Sequence, residues 1–254
     1  MNSLIQIFWF VGWPLAYLFF RVPYHLRIEG RKNIPWRGPV VLVANHQSYF
    51  DPTLVGLVAE PRPVRSLARA TLFNNPLFAG LIRSLGAVPI RQQRADPAAM
   101  KTLVELLNDG RAVMLFPEGQ RTPDGLVHEF QRGLLLVLKR AGAPVVPVAI
   151  EGAFDVYPRG RSKPTWSGRI RVRAAAPIDC DELMADGPDA ALERLRQSIE
   201  TMRLELREKI RADTNGRFPP PGPADRPYWD TAGNDEGDAN PSASTMPTKF
   251  TARS

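Results

Sequence analysis

Val41-Leu42-Val43-Ala44-Asn45-His46-Gln47-Ser48-Tyr49-Phe50-Asp51-Pro52 is the stretch on which the reading of this chain turns. Its first four residues form an apolar run that reads as a strand. One of only three histidines follows at once, and a carboxylate comes five residues later at what reads as a helix start. On one continuous helix that separation rotates the second side chain by about 140° from the first, so the two could not meet. Across a strand-to-helix turn they can. Asp51 before Pro52 has the chemistry of an N-cap and first-turn pair, which places the helix start at Pro52 and leaves residues 45–50 as the turn. Two readings of the pair follow: His46 is a general base oriented by Asp51, or Asp51 caps the helix and His46 is an ordinary loop histidine. A carboxylate has two oxygens and can serve both purposes.

Outward from this stretch, strand and helix signals alternate. Residues 52–59 read as a short helix and 64–69 as a strand. Leu77, Phe78, Leu81, Ile82 and Leu85 stand at helical spacing in 75–85, a segment that stops at Gly86. Residues 87–91 are again extended. Asp96-Pro97 opens a helix whose buried face carries Met100, Leu103, Val104 and Leu107, and Gly110 ends it. Residues 112–116 and 144–150 are two more apolar strands, with a helix at about 131–141 between them. A last strand at 169–173 precedes a long helix near 190–212, with its apolar stripe on Leu192, Leu195, Ile199, Met202 and Leu206. The alternation predicts an α/β fold, a largely parallel sheet flanked by helices, in one domain over residues 21–212. Beyond Asp213 prolines are scattered among Gly, Ser, Thr, Asn and Asp, so residues 213–254 are expected to form a disordered tail.

The chain has 254 residues and 44% hydrophobic content, enough for one substantial core. Its net charge is +7, and because residues 213–254 carry six acidic and four basic side chains, the positive surplus belongs to residues 1–212. A basic body suits a nucleic acid, an anionic membrane surface or a phosphorylated substrate. No basic region with heptads, RNP-like strand or zinc finger accompanies it, so no nucleic-acid partner is expected. Cys180, the single cysteine, excludes an internal disulfide. With only His25, His46 and His128 beside it, no zinc-ligand spacing is recognisable, and no metal is expected. Residues 1–20 lack any charged side chain and hold four Phe, two Trp and one Tyr, while Arg21, His25, Arg27, Arg31, Lys32 and Arg37 follow. A secretory signal would have a basic start and a small-residue cleavage site. Residues 1–20 are therefore expected to anchor the protein in a membrane, embedded or barely spanning, with the basic cluster on the cytoplasmic side. The alternative is an apolar helix docked on the core.

Three further segments follow predicted strands, where open α/β sheets carry their sites. One strand ends on Arg91. Another leaves through Phe116-Pro117-Glu118-Gly119-Gln120-Arg121-Thr122, and a third, Val145–Ile150 in the sequence, is interrupted by Pro147. Asn-His-x-Ser-x-x-Asp at 45–51, the strand ending in Arg91, Phe-Pro-Glu-Gly-x-Arg at 116–121 and Val-Pro-Val at 146–148 resemble the four ordered motifs of the glycerolipid acyltransferases, best known from the 1-acylglycerol-3-phosphate acyltransferases. The similarity runs over about residues 22–180. Gln120 stands where that family usually has threonine, and Thr122 where serine is common.

The resemblance implies transfer of a fatty acyl group from an acyl thioester, acyl-CoA or acyl-ACP, to a hydroxyl of 1-acylglycerol-3-phosphate, giving phosphatidate in phospholipid biosynthesis. Glycerol 3-phosphate or another lysolipid is the alternative acceptor, and a non-catalytic lipid-binding membrane protein is the alternative function. The implied partners are membrane lipids and the thioester donor, an acyl carrier protein among them; no cofactor beyond that co-substrate is implied. The implied place is the cytoplasmic face of the inner (plasma) membrane. His46 and Asp51 are then the catalytic base and its orienter, because a hydroxyl is too weak a nucleophile at neutral pH unless an imidazole takes its proton. Arg91 and Arg121 hold the acceptor phosphate, Glu118 positions the arginines or the acceptor hydroxyl, and Gly119 lets the backbone come close. Without the resemblance, Glu118 and Arg121 read equally as a solvated surface pair and Arg91 as a strand-end charge. Ser48 suggests a hydrolase triad, but the Gly-x-Ser-x-Gly elbow is absent and it is expected to bond within its turn.

Overall fold

A computed structural model describes residues 3–84, 86–90 and 97–230. Seven strands form one sheet: β1 (Arg27–Glu29), β2 (Val40–Ala44), β3 (Val64–Arg69), β4 (Ala87–Ile90), β5 (Ala112–Leu115), β6 (Val145–Glu151) and β7 (Arg171–Ala174). The helices are α1 (Ser3–Arg21), α2 (Asp51–Ala59), α3 (Pro76–Ser84), α4 (Pro97–Asn108), α5 (Gly133–Ala141), α6 (Ala153–Val156), α7 (Cys180–Met184) and α8 (Pro188–Asp213). The strand order is β1-β7-β6-β2-β5-β3-β4. All pairings are parallel except β6 with β7. This is the α/β architecture expected, with one reversal that the sequence did not announce.

Alternate residues of β2 enter two cores, which is why its sequence shows no polar alternation. Val40, Leu42 and Ala44 join one cluster with Leu54, Leu57 and Val58 of α2. Val41 and Val43 join the other, with Leu103 of α4, Leu138 of α5 and Leu195 of α8. Each fully buried aliphatic side chain contributes about 1.5–3 kcal/mol relative to exposure. Pro147 does not interrupt β6: the strand runs through it, paired in register with Val43. The N and carbonyl of one strand residue point to the same side, and the Pro147 carbonyl accepts from Ala175 N at 2.8 Å, just beyond the end of β7. The missing N–H therefore faces the segment just beyond β7, past the last paired residue Ala174, and takes no bond from the β2–β6 ladder.

Two expectations change. First, no helix among the described residues is long and apolar enough to cross a membrane. Spanning is thereby excluded for these residues, and residues 12–21 of α1 dock on the core, the alternative expected of the segment: Trp13 and Phe20 are buried, and Gly56 of α2 leaves room for the Trp13 ring, whose Cη2 lies 2.3 Å from where a Cβ would stand. Leu15, Leu18, Phe19 and Val22 remain exposed on the opposite face. Second, the tail does not begin at 213. Residues 214–230 lie along α8, where Arg207 binds Asp225 at 2.6 Å and the Pro220 carbonyl, Arg203 donates to the Ala224 carbonyl at 2.8 Å, and Arg196 sits over the Tyr228 ring. Polar anchoring holds this segment, so its low apolar content misleads. Residues 231–254 lie outside the described residues.

Candidate active site

Loops at the C-terminal ends of β2 and β5, neighbouring parallel strands in the middle of the sheet, bring the first and third motifs together. The His46 backbone is clamped on both sides by the second loop: its N–H donates to Glu118 Oε1 at 2.7 Å, and its carbonyl accepts from Thr122 N at 2.8 Å. Its ring stacks on Phe116, with centroids 4.3 Å apart and planes 21° from parallel. Nδ1 lies 2.7 Å from Asp51 Oδ2. The imidazole thus has its tautomer and orientation fixed, and its side chain keeps 20% of its surface exposed.

Asp51 is not a helix cap. Phe50 holds the cap position of α2, and no side chain caps it. Asp51 Oδ2 instead turns back to accept from the amides of Gln47 and Ser48, at 2.6 and 2.7 Å, as well as from His46. Oδ1 is buried and has no hydrogen-bond partner among the described residues. Burial raises the carboxyl's pKa, while His46 and the two amides pull against the rise. The residues between them are structural. Ser48 Oγ donates to the Tyr157 carbonyl at 2.8 Å and accepts from Phe50 N, so it bonds in and around its turn and is no nucleophile for His46. Asn45 pairs with both the carbonyl and the amide of Ile150, extending the β2–β6 ladder by one side chain.

Glu118 and Arg121 do not form a pair. Both carboxyl oxygens of Glu118 take backbone amides, His46 at one and His128 at 3.2 Å at the other, so it supports the base from behind and pairs with no arginine among the described residues. Burial pushes its carboxyl up to about 8, against the pull of the two amides. Arg121 lies over the Tyr49 ring at 3.4 Å from the centroid, and none of the ion pairs among the described residues involves it. Tyr49 in turn packs on Tyr157 at 4.8 Å. A guanidinium set over an aromatic ring, with no carboxylate among the described residues to neutralise it, is prepared for an anion. Gly119 has φ +71°, and a Cβ there would stand 2.2 Å from Gln131 Nε2. The turn itself therefore requires glycine at this position. Arg91 lies outside the described residues.

Two features escaped sequence reading. Asp124 Oδ1 contacts His128 Nε2 at 2.9 Å and accepts from Thr122 Oγ1 at 2.7 Å, bracing the loop that carries Glu118. Burial opposes ionisation of Asp124, but the bonds from His128 and Thr122 outweigh it and hold its carboxyl well below the usual range, while Asp124 raises the pKa of His128. Their four-residue spacing was the available signal. Gln47 Nε2 reaches the Gly125 carbonyl at 3.2 Å and Glu151 Oε2 at 3.3 Å. Glu151 is fully buried and also binds Arg203 and Arg207 of α8, so the turn that carries His46 is tied to the ion network under it. Among the described residues no group of three His, Cys, Asp or Glu side chains is arranged to hold a metal.

Comparison with known proteins supplies the family. The acyltransferase family model matches residues 25–151, half of the chain. The 1-acyl-sn-glycerol-3-phosphate acyltransferase alpha of Bos taurus is 31% identical over 76% of this chain and 68% of its own length. The chain belongs to the acyltransferase family. A chloroplastic 1-acyl-sn-glycerol-3-phosphate acyltransferase of Arabidopsis thaliana is 31% identical over 61% of this chain; the match spans only 44% of that longer protein. Among solved structures, the 1-acyl-sn-glycerophosphate acyltransferase PlsC of Thermotoga maritima superposes with a TM-score of 0.65 at 27% identity, covering 80% of this chain and 78% of that one.

Proposed function

We propose that this protein acylates 1-acylglycerol-3-phosphate, taking a fatty acyl group from an acyl thioester of coenzyme A or acyl carrier protein and releasing phosphatidate and the free thiol. The observation that carries the reading is the 2.7 Å contact between His46 Nδ1 and Asp51 Oδ2, made by a histidine whose backbone is itself clamped. With Nδ1–H donated to the carboxylate, Nε2 is the free base. It takes the proton of the acceptor hydroxyl as that oxygen attacks the thioester carbonyl carbon. The tetrahedral intermediate collapses with cleavage of the carbon–sulfur bond, and the imidazolium returns its proton to the leaving thiolate. Asp51 stabilises the imidazolium between these steps, as the acid of a serine-protease triad does; here the nucleophile belongs to the substrate.

Arg121 is our candidate for the acceptor phosphate, and the motif resemblance adds Arg91, because guanidinium groups bind phosphate bidentately. The names of the relatives support the lysophosphatidate acceptor. The exposed apolar face of α1 and the basic residues after it support work at the cytoplasmic face of a bilayer, the inner (plasma) membrane. The test is thiol release from an acyl thioester with and without lysophosphatidate. Transfer releases thiol only when the acceptor is present. Release without it means hydrolysis, and none in either case means a lipid-binding protein. His46→Ala should abolish the acceptor-dependent release while the fold survives.

A further inference from the structure

The antiparallel step between β6 and β7 has a geometric result. Arg27 pairs with Arg171, and Arg171 with Glu151, so the starts of β1 and β7 lie on the same rim of the sheet as the ends of β6 and β2. A cavity of about 130 Å³ opens there, three strand spacings or about 14 Å along the rim from β2. Arg21, His25, Arg27, Arg169 and Arg171 line it, and Asp213 is its one carboxylate. That carboxylate is already engaged, by Arg171 and at 3.5 Å by Arg27. Arg21 has no ion-pair partner among the described residues, and the side-chain bond of Arg169 is to the Gly168 carbonyl at 2.9 Å. The cavity therefore keeps uncompensated positive charge. His25 reflects it: burial, then Arg169, Arg21 and Arg27, lower its pKa, so it adds a neutral donor. His25 also holds φ +45°, a backbone conformation unusual for a side chain other than glycine.

The surroundings define the ligand. Leu18, Phe19 and Val22 stand exposed at the end of α1, which runs straight into Arg21 and His25. The loop at 157–169, tied to the chain after α1 by the Gly168 amide on the Pro23 carbonyl at 3.2 Å, contains Arg159, Arg161, Lys163 and Arg169, no acidic residue, and Trp166 with 96% of its surface exposed. Exposed apolar side chains on the two segments that supply Arg21, His25 and Arg169 to a cationic recess match a bilayer surface, the apolar groups in the interface and the recess around a headgroup. We infer that the Arg21–His25–Arg27–Arg169 recess binds the phosphate of an anionic membrane phospholipid, separately from the acceptor bound at His46. The inference rests on the reading that the protein works at a bilayer.

The experiment measures binding of the full chain to vesicles of phosphatidylcholine alone, and of phosphatidylcholine with phosphatidate or with phosphatidylglycerol at equal charge, without reading turnover. In Arg21→Gln/Arg169→Gln, affinity for the anionic vesicles should fall about tenfold or more, with affinity for neutral vesicles unchanged. Arg21→Lys/Arg169→Lys, which keeps the charge, should lose affinity for both anionic vesicles, because an ammonium cannot reproduce the bidentate guanidinium contact to the phosphate oxygens of either lipid; it also decides the matter if the glutamine variant fails to fold. Equal affinity of both variants and wild type for anionic vesicles overturns the proposal. So does an equal loss on neutral vesicles, or displacement of the wild type from vesicles by millimolar inorganic phosphate, which would make free phosphate the ligand. Wild type that binds neutral vesicles while its anionic preference ignores the variants leaves the bilayer reading standing and refutes the recess; wild type that binds no vesicle refutes both.

Discussion

Glu118 holds His46 by its backbone: Oε1 accepts the His46 amide at 2.7 Å, while Oε2 takes the amide of His128 from the neighbouring loop. The carboxylate that follows Phe-Pro in the third motif thus acts on the base through main-chain geometry. Burial pushes its carboxyl up to about 8 from an ordinary value of 4.5. Between those values the folded chain keeps a proton that the unfolded chain has released. This group's contribution to stability is therefore full below about pH 4.5 and is lost as pH rises through about 8, at most about 1.4 kcal/mol per pH unit. The side chain of Glu118→Gln does not titrate. The stability of wild type relative to Glu118→Gln, from chemical denaturation, should thus decline between pH 5 and pH 8. A difference independent of pH would mean that Glu118 titrates normally.

Asp51→Asn separates the two readings of the first motif. As a helix cap, asparagine serves as well as aspartate, and stability would hold. In the observed geometry Oδ2 takes three donors and Oδ1 lies buried without a partner, so the new amide either loses those bonds or buries an unsatisfied N–H₂. The expected cost is about 1–3 kcal/mol. Turnover should fall by on the order of 10³-fold or more, because the carboxylate no longer fixes the imidazole tautomer. Denaturation and single-turnover rates measure the two effects. Retained activity with retained stability would exclude the pair from catalysis.

The fold was legible wherever one side-chain period ruled a segment. Residues 40–44 and 145–150 are apolar on both faces because both faces are buried, and the apolar stripe of α8 marks its core side. What stayed hidden depends on partners far apart in sequence. Arg203 and Arg207 read as ordinary surface charges on a helix, yet they are buried because Glu151, 52 and 56 residues away, and Glu200 wait under them. The direction of β7 rests on the same kind of distant pairing. In the site, His46 and Asp51 were readable from local spacing. The true partner of Glu118 was not, since a backbone amide carries no sequence signal, and the nearby Arg121 offered a false one.

Arg121 should depend on its ring. Arg121→Lys keeps the charge but loses the planar fork, and the Michaelis constant for lysophosphatidate should rise about tenfold with a smaller effect on turnover. Tyr49→Leu removes the face under the guanidinium, an interaction worth about 0.5–1 kcal/mol at an exposed site, so the same constant should rise about two- to fivefold. Steady-state kinetics with varied acceptor reads both. If neither substitution moves the constant, Arg121 does not contact the acceptor.

Two truncations locate the end of the folded domain. Ending the chain after Asp230 keeps every contact that ties residues 214–230 to α8, and the melting temperature should not change. Ending it after Asp213 removes Asp225 from Arg207 and Arg211, the Pro220 carbonyl from Arg207 and the Ala224 carbonyl from buried Arg203. Glu151 and Glu200 still neutralise Arg203, so charge remains balanced there; Arg207 keeps Glu151 and Asp155 but loses its outer partners. Breaking one side of a buried ion network costs about 3–5 kcal/mol when a charge is left bare, and less when partners remain, so a loss of about 2–3 kcal/mol is expected. Gln47 binds the same Glu151, so the disturbance should reach the catalytic turn and lower turnover as well as stability. Thermal melts and thiol-release assays on both truncated chains check this. Full stability of the chain ending at Asp213 would show that the segment rests on α8 without supporting it.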